Sequence, residues 1–451
     1  MTSPARPGGD GIRASGRWDA PLSRRQFLRL GALAAGAALA APALAAASRV
    51  APDAGADGRL VPDPGGVVDL PPGFRYRILS SEQDRLSDGQ SVPGDHDGMA
   101  AFRGPDGTTV LVRNHELRAG EAPAVEGRNP YNAAEPGGTT AVVVGPDRRE
   151  LRSYVTSSGT RNNCAGGATP WGTWLTCEED RSDGHGYVFE VDPADPESDG
   201  SKTPIRGMGR FSHEAVGIDP RTGLAYLTED ETERGSFLYR FTPDERRGRP
   251  GSLLAGGSLE ALAVEAPPDA GRRLPARWVP VRPELANEDA LERGATRFGR
   301  LEGATFAGGA FWFDDTAGGA ARRGRVYRLM PGPAGDMLEC FLEANGDNGL
   351  RSPDNVVMTP FGDLWFAEDG GGINRLMGVS PDGGLYEFAR NRITRSEFCG
   401  PCFAPDGRTF FVNIQNPGLT LAIWGPFPVP SDGRRRRMAL AGAPAPACTP
   451  A

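Results

Sequence analysis

Asp97, Cys164, Glu214, Glu302, Asp354 and Cys399 occupy matching places in six short segments of this chain, and each could bind a cation. The segments read HDGMAAF (96–102), NCAGGATP (163–170), HEAVGIDP (213–220), LEGATFAG (301–308), PDNVVMTP (353–360) and FCGPCFAP (398–405). Each runs into a turn, usually Pro-x-Gly, and then into a second apolar run that closes on Asn, Asp or Glu. Counted from the turn glycine, Glu178, Glu229, Glu368 and Asn413 fall at six residues, Asp314 at five and Asn114 at seven. The gap is 14 residues from Cys164 to Glu178, from Asp354 to Glu368 and from Cys399 to Asn413, and 15 from Glu214 to Glu229. Carboxylate oxygens suit hard cations such as calcium, whereas the thiolate of Cys164 suits a transition metal such as iron.

The elements that must position these groups follow from the same repeats. A turn followed by an aromatic and β-branched run reads as the second arm of a β-hairpin. The start of one arm then lies beside the end of the other, so each repeat brings two candidate ligands to one end of a hairpin. Further strands follow in GYVFEV (186–191), GSFLYRF (235–241), GRVYRL (324–329) and GGLYEF (383–388). Six such units predict an all-β fold, a six-bladed β-propeller with inserted loops and short helices. Its first strands would line a central tunnel, with the ligands converging at one mouth. Acidic residues that only solvate turns would be scattered through loops; these recur at strand ends, which favours a site. Residues 244–298 form the longest insertion, with room for a short helix at the tunnel mouth.

Composition agrees with one large β-rich domain: 63 glycines and 41 prolines punctuate the 451 residues. The formal net charge is −8, and residues 1–45 carry six arginines and only two aspartates, which leaves the remainder more acidic still. Such a chain is a poor nucleic-acid binder, and bound cations would offset its charge. Lys202 is the only lysine. SRRQFLR (23–29), a mild Ala/Gly/Leu stretch and the Ala43-Leu44-Ala45 ending read as a twin-arginine signal over 1–45, read by the twin-arginine translocation machinery. The expected location is periplasmic or extracellular, with no membrane span and a monomeric state. A flexible lead-in is expected over 46–68, the propeller over 69–430 and a disordered tail over 431–451.

Six cysteines in an exported chain permit disulfides, and Cys399-Gly-Pro-Cys402 is open to a structural bridge, two free thiols or a redox pair. Three of the four histidines, His96, His115 and His213, sit in the hairpins and could in principle ligate zinc. Each adjoins a carboxylate on a strand, where neighbours face opposite ways, so a supporting contact to a loop is the favoured role.

LPPGFRYRILS (70–80), SDGQSVPGDHDGMAAF (87–102), NNCAGGATPWGTWLTCEED (162–180), FSHEAVGID (211–219), RLEGATF (300–306), SPDNVVMTPFGDLWFAEDG (352–370) and FAPDGRTFFVNIQNPG (403–418) resemble the PhoX-type alkaline phosphatases. The resemblance implies an exported six-bladed propeller that hydrolyses small phosphate monoesters with iron and calcium. It implies Cys164 and Glu214 as iron ligands, and Glu302, Asp354, Glu116, Glu178 or Glu179, and Glu368 around the cluster. Arg300 would contact phosphate, with Asn163 beside it. Two departures stand out. Gln415-Asn416-Pro417-Gly418 replaces a Gln-His-Pro-Gly ending, and no lysine lies near the Asn-Cys motif unless Arg161 substitutes. A calcium-dependent lactonase or phosphodiesterase, and a non-enzymatic calcium-stabilised binding propeller, are the alternatives.

Overall fold

The computed structural model describes residues 59–428 except 270, 346–348 and 382. The expected signal peptide, lead-in residues 46–58 and tail 431–451 lie outside the described residues. Six innermost strands form a closed ring: His96–Arg103, Asn163–Ala168, His213–Ile218, Leu301–Ala307, Pro353–Met358 and Phe398–Phe403. Each packs beside the next, and the last packs beside the first. Every one opens an antiparallel blade whose second strand follows a tight turn, as the repeats predict. The protein is a six-bladed all-β propeller.

The blades differ at their outer edges. The second has three strands, ending in Val188–Val191. The insertion after residue 244 supplies Gly257–Ala263 and Arg273–Val281, and the latter pairs with Asp336–Glu343. This joins the third and fourth blades into one nine-stranded sheet. The same insertion carries the α-helix Ala286–Glu292. In the fifth blade GGLYEF forms part of the fourth strand, Leu385–Asn391, and the third is Arg375–Val379. The early strand Arg75–Ser81 pairs with Leu419–Trp424 and closes the last blade. An early strand and a late strand are thereby locked together in one blade, and the edge of Leu419–Trp424 is covered.

Part of the expected lead-in is not loose. Val61 bridges Leu70, and Val68–Asp69 pairs with the outer strand of the fifth blade. Val67 and Val68 are buried in the same apolar cluster as Trp365 and Phe388, so their burial holds this segment.

One irregularity recurs in all six inner hairpins. The pairing register shifts between His96 and Met99, Asn163 and Gly166, His213 and Val216, Leu301 and Ala304, Pro353 and Val356, and Cys399 and Cys402. In each, two inner residues face one on the partner strand, the signature of a β-bulge, which re-aims side chains. In five blades the first bulged residue is Asp97, Cys164, Glu214, Glu302 or Asp354. The second must be small where the ring is tightest. A Cβ on Gly98 would lie 2.6 Å from the Cα of Ala165, and one on Gly303 would lie 2.5 Å from the Cα of Asn355.

The bulges are tied across blades. Asn114 donates to the carbonyl oxygens of Cys164 (2.9 Å) and Ala165 (2.7 Å), Thr228 to that of Glu302 (2.7 Å), and Asn413 to that of Asp97 (2.5 Å). Sequence position alone placed Asn114 and Asn413 among the polar strand ends; the structure uses them to hold backbone.

Further along the ring, a Cβ on Gly167 would come 1.8 Å from the carbonyl oxygen of Val216. Gly167→Ala should therefore separate the second and third blades and destabilise the fold by roughly 1–3 kcal/mol. A thermal midpoint equal to wild type would contradict the closeness of this approach.

Candidate metal centre

Four overlapping groups of ligand atoms run across one end of the ring. They are Asp97, Glu116 and Cys164; Cys164, Glu179 and Glu214; Glu214, Glu302 and Asp354; and Asp354, Asp369 and Glu397. Within each group the atoms lie within 4.8 Å of one another. Cys164, Glu214 and Asp354 are shared, so the four groups form one continuous row. Asp97, Glu214, Glu302 and Asp354 are buried.

The bulge aims the first position of each pair, and the chain just beyond the second strand supplies the other. The residue paired with the last inner residue before each bulge is His115, Glu178, Glu229, Asp315, Glu368 or Asn413. The residue after it is the one that joins the row: Glu116, Glu179 and Asp369. Successive residues on a strand face opposite sides, so a shift of one exchanges ligand for support.

Glu178 and Glu368, expected as ligands, lie outside the four groups and are held by protein donors. Glu178 accepts from His185 Nδ1 (2.7 Å) and from the backbone N–H groups of Arg161 (3.0 Å), Gly186 (2.9 Å) and Tyr187 (3.2 Å). Glu368 accepts from the N–H of Arg351 (3.1 Å) and pairs with the Arg375 guanidinium at 2.6 Å. Asp315 accepts from the N–H groups of Gly299 and Arg300. In three blades a buried carboxylate thus caps the chain entering the inner strand. Glu229 does different work, accepting from Tyr239 Oη (2.7 Å) and from Asn287 Nδ2 (2.9 Å) on the inserted helix.

The sixth blade departs from the plan. Its bulge begins at Gly400, one residue after Cys399. Cys399, placed in the ligand slot by sequence, instead points its thiol at the His96 carbonyl (2.9 Å). Glu397, just before that strand, enters the row. The five described cysteines, including Cys399 and Cys402, are free thiols.

Arg300 stands at the row. It grips Asp230 through Nε and Nη2 (2.6 Å for the shortest contact) and lies 2.5 Å from Glu302 Oε1. Asp230 occupies the same place in its blade as Glu116, Glu179 and Asp369. Arg161 and Asn163, expected near phosphate, are committed elsewhere. The Arg161 guanidinium pairs with Glu135 (2.5 Å) and donates to Ser182 (2.6 Å). Asn163 is buried, accepting from Thr160 Oγ1 and donating to Thr176 Oγ1.

Gln415 was not singled out by its spacing. Its amide donates to Glu116 (2.6 Å) and Asp97 (3.2 Å), bridging two members of the row. Its place directly after the sixth hairpin is the signal that could have found it. The hairpin histidines take loop carbonyls: His96 that of Pro93, His115 that of Gly94 and His213 that of Gly209. Burial holds all three well below the usual imidazole range, His213 at about 3, so they stay neutral.

Electrostatics show that the row fits cations. Burial, then Glu179, Asp354 and Asp97, push the Glu214 carboxyl well up. Burial, then Asp97 and Glu214, do the same to the Cys164 thiol. Burial, then Asp369, raise Asp354 to about 6. Both carboxylate oxygens of Glu214, Asp97 Oδ1 and Glu397 Oε2 are buried without a hydrogen-bond partner. Unpartnered buried carboxylates are costly, and cations coordinating them remove that cost.

A sequence model of the family described as alkaline phosphatase PhoX matches residues 56–418. The chain belongs to the PhoX alkaline phosphatase family, which makes it a phosphatase and a hydrolase. Its fold is similar to Pseudomonas fluorescens PhoX solved in complex with vanadate, a transition-state analogue. That structure is 19% identical with a TM-score of 0.63, and the match covers 80% of this chain and 96% of the other. A Xanthomonas campestris gluconolactonase is 14% identical with a TM-score of 0.45, covering 78% of this chain and 90% of the other. No match was found among curated proteins.

The register correction predicts opposite outcomes at adjacent residues. Glu178→Ala should cost about 3 kcal/mol or more of stability, because it strips a buried carboxylate from its donors, yet leave metal content intact. Glu179→Gln should lower metal content by elemental analysis with little loss of stability in the metal-free protein. The reverse pattern would restore Glu178 as the ligand.

Glu229 offers a second test. Burial raises its pKa from 4.5 to about 8. The folded state then binds more protons than the unfolded one across that interval, so this group's contribution to stability falls as pH rises from about 4.5 to about 8. Glu229→Gln should weaken this decline. Parallel pH profiles of thermal midpoint for variant and wild type would contradict it.

Proposed function

We propose that this phosphatase hydrolyses phosphate monoesters outside the cytoplasm, at an iron–calcium cluster held in the propeller mouth. Cys164 and Glu214 would hold iron; Glu302, Asp354, Glu116, Glu179, Asp97, Asp369 and Glu397 would complete the cluster. The observation that carries the reading is Glu214, buried at the junction of two ligand groups with neither oxygen partnered. One sulfur among many oxygens favours a transition metal beside harder cations. Export rests on the twin-arginine pattern at residues 23–29. Among the described residues, no helix is long and apolar enough to cross a membrane.

Cations held by Cys164, Glu214, Glu302 and Asp354 would supply Lewis-acid charge to offset that of phosphate. The side chains do the rest. Asp230 fixes Arg300 through Nε and Nη2, which leaves Nη1 without a partner among the described residues. A guanidinium so fixed offers planar donors to phosphate oxygens, where charge spreads in the transition state. Gln415 holds Asp97 and Glu116 together.

The holoprotein should hydrolyse p-nitrophenyl phosphate and lose that activity to a chelator. Cys164→Ala should lose bound iron and at least two orders of magnitude in kcat/KM. Full activity with unchanged metal content in Cys164→Ala would overturn the assignment.

A further inference from the structure

We propose that Arg118 supplies a second guanidinium to the phosphate group, alongside that of Arg300. The inference rests on the phosphatase reading and assigns substrate contact to a residue outside every repeated motif.

Arg118 follows the strand Thr109–His115 and the ligand-row residue Glu116. Its loop is anchored: the Arg118 N–H donates to Glu121 (2.7 Å), and the Leu117 carbonyl accepts from the Asn162 N–H (2.9 Å). The guanidinium itself is barely held. Nη2 lies 2.8 Å from Glu116 Oε1, and no other carboxylate pairs with it among the described residues. The Arg118 side chain is 65% exposed against 10% for Glu116, so it reaches from solvent onto the edge of the row.

Arg300 is its counterpart further along the row, on Glu302 of the third group. Glu179 lies within the field of both guanidiniums, which oppose the rise that burial imposes on its carboxyl. The Arg161 guanidinium is not available for this contact, because Glu135 and Ser182 occupy its donors.

The two arginines differ in how they are held. Arg300 is fixed by Asp230, which lies outside the ligand groups. Arg118 is tied only to Glu116, whose charge a cation would take up. Its ion pair then weakens, and a long, flexible donor is released beside the bound anion. A phosphate monoester dianion has three non-bridging oxygens and enough charge to meet two guanidiniums; a diester has two such oxygens and one charge. The pair therefore favours monoesters over diesters.

Isothermal titration of inorganic phosphate into metal-loaded wild type, Arg118→Ala and Arg118→Lys tests this, with metal content measured on the same samples. Arg118→Ala should bind phosphate roughly tenfold or more weakly with unchanged metal content, since a charge-assisted hydrogen bond is lost. Arg118→Lys should fall between, keeping the charge without the planar fork. Phosphate affinity of Arg118→Ala equal to wild type would overturn the proposal. So would loss of metal in Arg118→Ala, because Arg118 would then be a counter-ion for Glu116. A wild type that takes up no phosphate would sink the phosphatase reading of the site itself, and the clamp with it.

Discussion

The structure is organised around a row of acidic groups that cannot coexist unaided. Asp97, Glu214, Glu302 and Asp354 are buried, close together and of like charge. Each raises the proton affinity of its neighbours, and several of their oxygens have no protein donor. Only protons or cations relieve such an arrangement. A propeller can carry it because the ring of inner strands is closed, and the last blade is sealed by the strand Arg75–Ser81. No single blade contains a complete group: the first joins Asp97 and Glu116 of one blade to Cys164 of the next. Folding the ring and building the site are therefore the same event.

Two repeated devices make the geometry reproducible. In five of the six inner hairpins a bulge re-aims one candidate side chain while keeping the strand in its sheet. A carboxylate at the end of the second strand then fixes the entering chain, as Glu178, Asp315 and Glu368 do. These caps are carboxylates like the ligands beside them, but they are held by protein donors, whereas neither oxygen of Glu214 is.

Much of this was legible in the chain. The turn-strand-acid phrases mark six hairpins, and the segments around Asp97, Cys164, Glu214, Glu302 and Asp354 mark the residues that open the inner bulges. The limit was register. Counting from the turn glycine cannot detect a bulge, so Glu178 and Glu368 stood one residue from Glu179 and Asp369. In the sixth blade the same slip put Cys399 where Gly400 lies. Glu397 and Arg118 sit in connecting segments with no periodic pattern, and only three-dimensional proximity to Asp354 and Glu116 reveals them.

The central claim is that this row exists to hold cations. A crystal structure of the metal-loaded protein, with anomalous scattering data, tests it most directly. The account predicts anomalous peaks within bonding distance of Cys164 and Glu214, and further cations among Glu302, Asp354, Asp369 and Glu397. An ordered mouth in which these carboxyls hydrogen-bond to one another, with no metal among them in protein shown to be active, would contradict it.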